Sequence, residues 1–169
     1  MYKAIVQQGV ILKLYVASSW RNAIQPSVVH ALRKAGHEVY DFRHPKPGNA
    51  GFAWESIDPN WKLWDPFQFE QALRHPLARK GFMRDMDALK ACDACVLVLP
   101  CGRSAHLELG HAVGAGKFTT VLLDEKSEPE LMYKMVDALC RSVEEVIEAL
   151  EVERKTKLGI DPRQKALPL

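Results

Sequence analysis

Hydrophobic and polar positions alternate from Ile11 to Ala17 (Ile-Leu-Lys-Leu-Tyr-Val-Ala), which predicts a strand, and the small polar turn Ser18-Ser19 follows it. A stripe at helical spacing comes next. Ile24, Val28, Ala31, Leu32 and Ala35 share one face, Pro26 sits in the first turn and Gly36 closes the helix. His37 to Phe42 returns to strand character, so the opening reads as a βαβ unit. Farther along, Cys95 to Leu99 is a continuous apolar run, the mark of a strand buried on both faces of a parallel sheet, and Phe118 to Leu123 repeats it. Pro66 to His75, Gly81 to Ala91, Ser104 to Gly114 and Glu128 to Met135 predict helices. Ala138 to Arg141 predicts a weak strand, and Val143 to Arg154 a charged amphipathic helix. Residues 1–154 therefore predict one α/β domain, an open, mostly parallel sheet with helices on both faces, and 155–169 a loose C-terminal tail. Ligands of such sheets bind at the carboxyl ends of the strands, so the loops after Ala17, Phe42 and Leu99 are the ones to watch.

Charge and composition narrow the partner. The chain has 23 Lys and Arg against 21 Asp and Glu, with the signs interspersed, which excludes counterion-release binding to nucleic acid and favours a small ligand. No apolar run is long enough for a membrane span, and the opening lacks the order of a signal peptide, so a cytoplasmic protein with no membrane partner is expected. Cys92 and Cys95 have CxxC spacing without a second ligand pair; with Cys101 and Cys140 they read as small buried residues rather than a metal or redox site. All four tryptophans lie early, and Trp54, Trp61 and Trp64 share a Pro- and Gly-rich stretch from Arg43 to Asp65. That stretch is too long for an ordinary connection; it predicts either a lid whose aromatics stack on a base or a packed satellite cluster.

The strongest chemical signal runs from Leu99 to Gly116 (LPCGRSAHLELGHAVGAG). Ser104 is a natural N-cap; Ala105, Leu109, Ala112, Val113 and Gly116 then share the buried face, and Glu108 falls at its edge, half-buried and aimed at the mouth of the sheet. Gly110, Gly114 and Gly116 would let this helix pack closely on its strand. The alternative is a solvated Glu that merely answers the helix dipole. After the first strand, Tyr15, Ser18, Ser19 and Arg21 offer hydroxyls and a guanidinium suited to phosphate or sugar, or else a helix cap and a surface arginine. Asp85 and Asp87, two apart on a helix, face different directions, so one at most enters a site. His106-Leu-Glu108 matches the H-x-E of zinc deaminases, but the cysteine pair precedes it instead of following, and the histidine spacing excludes a zincin.

With Leu14 to Arg21 (LYVASSWR), Asp85 ahead of the third strand, and Gly102 to Lys117 (GRSAHLELGHAVGAGK), the chain resembles the nucleoside 2-deoxyribosyltransferase family, which includes 2'-deoxynucleoside 5'-phosphate N-hydrolases. The resemblance runs from about residue 12 to 140. It implies a flavodoxin-like sheet, no metal or cofactor, and a homodimer or larger homo-oligomer whose site borrows residues from a neighbour, with Met135 and Asp137 candidates by position. It makes Glu108 the nucleophile, Tyr15 the hydroxyl that orients it and Asp85 the carboxylate near the leaving base. Where the transferases carry an Asp six residues before the nucleophile, this chain has Gly102, beside Arg103 and Ser104. Loss of that carboxylate and gain of a cation shift the expected substrate from a nucleoside toward a nucleoside 5'-monophosphate, and the acceptor toward water. Base exchange and a non-catalytic nucleotide sensor are the alternatives.

Overall fold

The computed structural model describes residues 11–159. Five parallel strands, β1 (Lys13–Ala17), β2 (Glu38–Asp41), β3 (Ala94–Val98), β4 (Phe118–Leu122) and β5 (Ala138–Cys140), lie in the order β2-β1-β3-β4-β5. This is a flavodoxin-like sheet, whose order reverses between β1 and β3. Five helices cover it: α1 (Gln25–Lys34), α2 (Pro66–Leu73), α3 (Pro76–Ala91), α4 (Arg103–Gly114) and α5 (Val143–Lys157).

Alternation along the central strands divides the core in two. Leu14 and Val16 of β1 and Ala94, Val96 and Val98 of β3 point to one face, where Val28 and Leu32 of α1 and Val146 and Leu150 of α5 close on them. Tyr15, Ala17, Cys95 and Leu97 point to the other, against Leu89 of α3 and Ala105, Leu109 and Ala112 of α4. Cys92 and Cys95 both belong to this second cluster, and among the described residues no three His, Cys, Asp or Glu side chains gather as a metal site. No helix among the described residues is long and apolar enough to cross a membrane.

Several expectations about elements need correction. Ile24 is the half-exposed residue ahead of α1, not part of its buried stripe, because Gln25 takes the inward position and bonds Asp41 through its amide (2.9 Å). The helix expected from Gly81 begins at Pro76: Pro occupies its first turn, and the His75 ring accepts from the Leu77 N–H (3.2 Å). Gly81 survives mid-helix because Phe52 lies on it; a Cβ there would stand 2.8 Å from the Phe52 Cβ. Glu128 to Glu130 are not helical, since Pro129 disfavours helical backbone before it, and only a 3₁₀ segment at Leu131–Met135 forms. α5 continues to Lys157; the remainder of the expected tail, 160–169, lies outside the described residues.

Candidate active site

The loops after β1 and β3 part at the point of strand reversal, and Asn22 ties them together. It is 2% exposed: its amide donates to the carbonyls of Val98 (3.2 Å) and Pro100 (3.1 Å), while its oxygen accepts from the backbone N–H groups of Ile24 and Gln25. Ser18 donates to the same Val98 carbonyl (2.8 Å), so its hydroxyl proton is committed to the scaffold. Arg43, from the loop after β2, donates to the carbonyls of Ser19 (2.6 Å) and Asn22 (2.8 Å). Sequence reasoning missed both Asn22 and Arg43; an Asn three residues before a helix start was the available signal.

Two carboxyl groups meet above this frame. Glu108 comes from α4, between the buried Ala105 and Leu109, and Asp85 from α3. Register places Tyr15 of β1 opposite Tyr40 of β2, and their rings stack at 5.3 Å and 18°. Tyr40 donates to Asp85 Oδ1 at 2.6 Å, and Arg84 Nε lies 3.7 Å from the same oxygen. The Tyr15 hydroxyl is buried near Glu108, close enough to favour its charged form, yet no partner meets hydrogen-bond geometry, so the contact stops short of a bond in this conformation. Burial, and secondarily the Asp85 charge, push the Glu108 carboxyl up to about 7. Burial likewise raises Asp85 above the usual carboxylate range, opposed by the Tyr40 hydrogen bond and the Arg84 guanidinium. Both tyrosines are held far from ionisation, Tyr15 by burial first and then by the nearby carboxylates. Asp87 is exposed, one turn-position away from this meeting point.

The structure therefore brings Tyr15, Asp85 and Glu108 together. The remaining candidates are arranged otherwise. α4 starts at Arg103, with Gly102 rather than Ser104 as its N-cap, because Gly102 takes the extended cap conformation without a side-chain bond. Arg21, Gly102, Arg103 and Ser104 are all exposed at this edge, and a Cβ on Gly102 would meet nothing within 4 Å. Gly110, Gly114 and Gly116 do not serve close packing: each faces open space, and Gly116 instead closes the helix at φ +66°. Ser19 accepts from the Arg21 N–H (3.2 Å). Trp54 sits inside a satellite cluster, edge-on to Phe52 (4.9 Å), Trp64 (5.6 Å) and Phe69 (5.9 Å), and Trp64 donates to Asp58 (2.6 Å). Trp61 stands outside it with Lys62 against its ring. Asp137 accepts from the Thr119 N–H and hydroxyl, which ties β4 to the approach of β5, and Met135 is half-exposed. At the other side of Glu108, His106 shares a hydrogen bond with the Tyr133 hydroxyl (2.8 Å), and Cys101, its thiol raised to about 11 chiefly by burial, lies 3.5 Å from the same imidazole.

A cleft of about 160 Å³ opens beside Arg84, lined also by Asn49, Phe52, Ser56 and Lys80, and Asp85 is not in its wall. Glu108 does not line it. Tyr40 and Arg84 are the residues missed here. The signal for Tyr40 was its place in β2, which parallel alignment sets against Tyr15; Arg84 had only its adjacency to Asp85.

No protein-family model and no curated protein matches the sequence. Among solved structures, a 2-deoxyribosyltransferase of the psychrotolerant bacterium Bacillus psychrosaccharolyticus superposes with TM-score 0.51 at 19% identity, over 79% of this chain and 89% of that one. The chain shares the fold of a 2-deoxyribosyltransferase. The CMP N-glycosidase BcmB of Clostridium botulinum also matches, with TM-score 0.42 at 19% identity over 82% of this chain and 97% of that one. Only the first carries weight, and at its identity what it shows is the architecture; the site residues stand on their own geometry.

Proposed function

We propose that this protein is an enzyme that cleaves the N-glycosidic bond of a (deoxy)nucleoside or its 5'-monophosphate, with Glu108 as nucleophile and water as acceptor. The observation that carries the proposal is the pairing of two half-buried carboxyls, from α3 and α4, at the carboxyl edge of the sheet with the Tyr15 hydroxyl near both. The shared fold of the deoxyribosyltransferase supports it.

The chemistry balances as two displacements. A Glu108 carboxylate oxygen bonds to C1' as the C1'–N bond breaks; the base nitrogen keeps that electron pair and takes a proton from Asp85 in its acid form or from water. Water then attacks C1', its proton passes to a carboxylate, and Glu108 is released with the anomeric configuration retained. Tyr15 orients the nucleophile. Gly102, with no carboxylate where the transferases carry one, and the exposed Arg103, Ser104, Ser19 and Arg21 leave that edge open to a 5'-phosphate. Phe82 and Met83 of α3, Leu107 of α4, and Leu131, Met132 and Met135 of the 3₁₀ segment are exposed apolar side chains on elements flanking the site, which supports a homo-oligomer.

Incubation with deoxynucleosides, nucleosides and their 5'-monophosphates, with and without an acceptor base, tests this. Free base without exchange is expected, with kcat/KM rising through a midpoint near pH 7 as Glu108 ionises. Glu108→Gln is expected to lose about 10³-fold or more of kcat. A swapped base would make the protein a transferase, binding without product a sensor, and undiminished turnover in Glu108→Gln would remove the nucleophile.

A further inference from the structure

The hydrogen bond from Tyr40 is not part of the sheet's own bonding. The hydroxyl reaches away from the strand and ends on a carboxylate of another element at 2.6 Å, the length of a charge-assisted bond. Arg84 approaches the same Oδ1 at 3.7 Å, so that oxygen is engaged from two sides, whereas Oδ2 makes no hydrogen bond among the described residues. The ring of Tyr40 cannot swing away, because it lies on Tyr15. One carboxylate of the pair is thus clamped through one oxygen, and the other, Glu108, has no completed bond from Tyr15.

Building on the reading of Glu108 and Asp85 as the reacting pair, we infer that Tyr40 is a positioning residue that fixes the orientation of Asp85 and thereby decides which of the two carboxyls ionises first. The clamp favours the carboxylate form of Asp85, and that charge in turn favours the acid form of Glu108. The groups around the pair are few: Tyr15 from β1, Tyr40 from β2, Cys95 from β3, Cys101 from the β3–α4 loop and Arg84 from α3. Burial holds both thiols and both phenols neutral, so Arg84 is the only other charge at the pair near neutral pH among the described residues. A single hydroxyl in such a setting has a large say in where a proton rests.

Tyr40→Phe removes the hydroxyl and keeps the stacked ring. Asp85 then holds its proton to higher pH; with its charge gone sooner, Glu108 loses its like-charged neighbour and ionises at lower pH. Carboxyl carbon resonances of Asp85 and Glu108, followed through a pH titration of the intact variant, are expected to show midpoints that shift in opposite directions and toward each other, Asp85 up and Glu108 down, each by about half a unit or more. The acid limb of kcat/KM is expected to move down with Glu108. Titrations unchanged by the substitution in a variant that keeps its circular dichroism and Tm would overturn the assignment, as would a uniform drop in rate with both limbs in place. A variant that unfolds would overturn it as well, by making the hydroxyl structural. Wild-type protein that turns over no nucleoside leaves the resonance titration readable, so failure of the reaction assignment and failure of Tyr40 are separate results.

Discussion

The two faces of the same sheet are built on opposite principles. Against α1 and α5 the core is mostly aliphatic, with side chains such as Leu14, Val96 and Leu150 almost fully buried, and a buried polar pair, Gln25 with Asp41, joins α1 to β2. Against α3 and α4, strand positions one residue away carry Tyr15 and Cys95, and the helices bring two carboxyls to the cluster's upper edge. Apolar packing dominates the first face. The second stores unfavourable electrostatics, which the first must offset, and this is the usual balance between a stable scaffold and a strained site.

The contrast is sharpened most by Leu14→Ala, on the aliphatic face, expected to cost about 3–5 kcal/mol in denaturant unfolding because the void cannot collapse between two helices. A cost of similar size that also moved the acid limb of kcat/KM would break the separation of the faces. Next comes Glu108→Gln. The folded-state value of Glu108 lies above its unfolded one, so the fold prefers the protonated form; nothing is lost below about pH 4, and destabilisation grows as pH rises through about 7. The variant is expected to be more stable than wild type by at most roughly 3 kcal/mol at pH 8, with the gain gone at pH 4. Equal stability at both values in thermal melts would show that the active face stores no such strain. Smallest is Gly81→Ala, expected to cost about 1–2 kcal/mol, as its Cβ must displace Phe52. Because Phe52 packs on Trp54, the tryptophan emission should shift with it; unchanged emission would detach the loop from the active face.

The legibility of the two faces differs in the same way. Period and apolar runs expose the strands, α1, α4 and α5, since burial on a parallel sheet leaves a pattern in each strand by itself. Glu108 was legible at the edge of the apolar stripe of α4, and Tyr15 from its place near the carboxyl end of β1, while the roles given to them came from the resemblance. Tyr40 was not, because its role arises from pairing β2 with β1 and from a bond to a helix more than forty residues away. The start of α4 was misread because Ser104 has the chemistry of a cap, while the chain turns helical one residue earlier, at Arg103, after an extended Gly102 that caps without a side chain. The tryptophan stretch was ambiguous in composition, and its packing around Trp54 depends on α2 supplying Phe69.

β2 is a strand of four residues at the edge of the sheet, paired among the described residues on one side only. A slip of one position would turn Tyr40 to the aliphatic face and leave Asp85 without its donor. The stacked tyrosines and their bond to α3 therefore act as a register pin for the edge. In this molecule the reacting groups help to align the strand that presents them, so drift in the chemistry of the site and drift in the pairing of the sheet are one evolutionary variable.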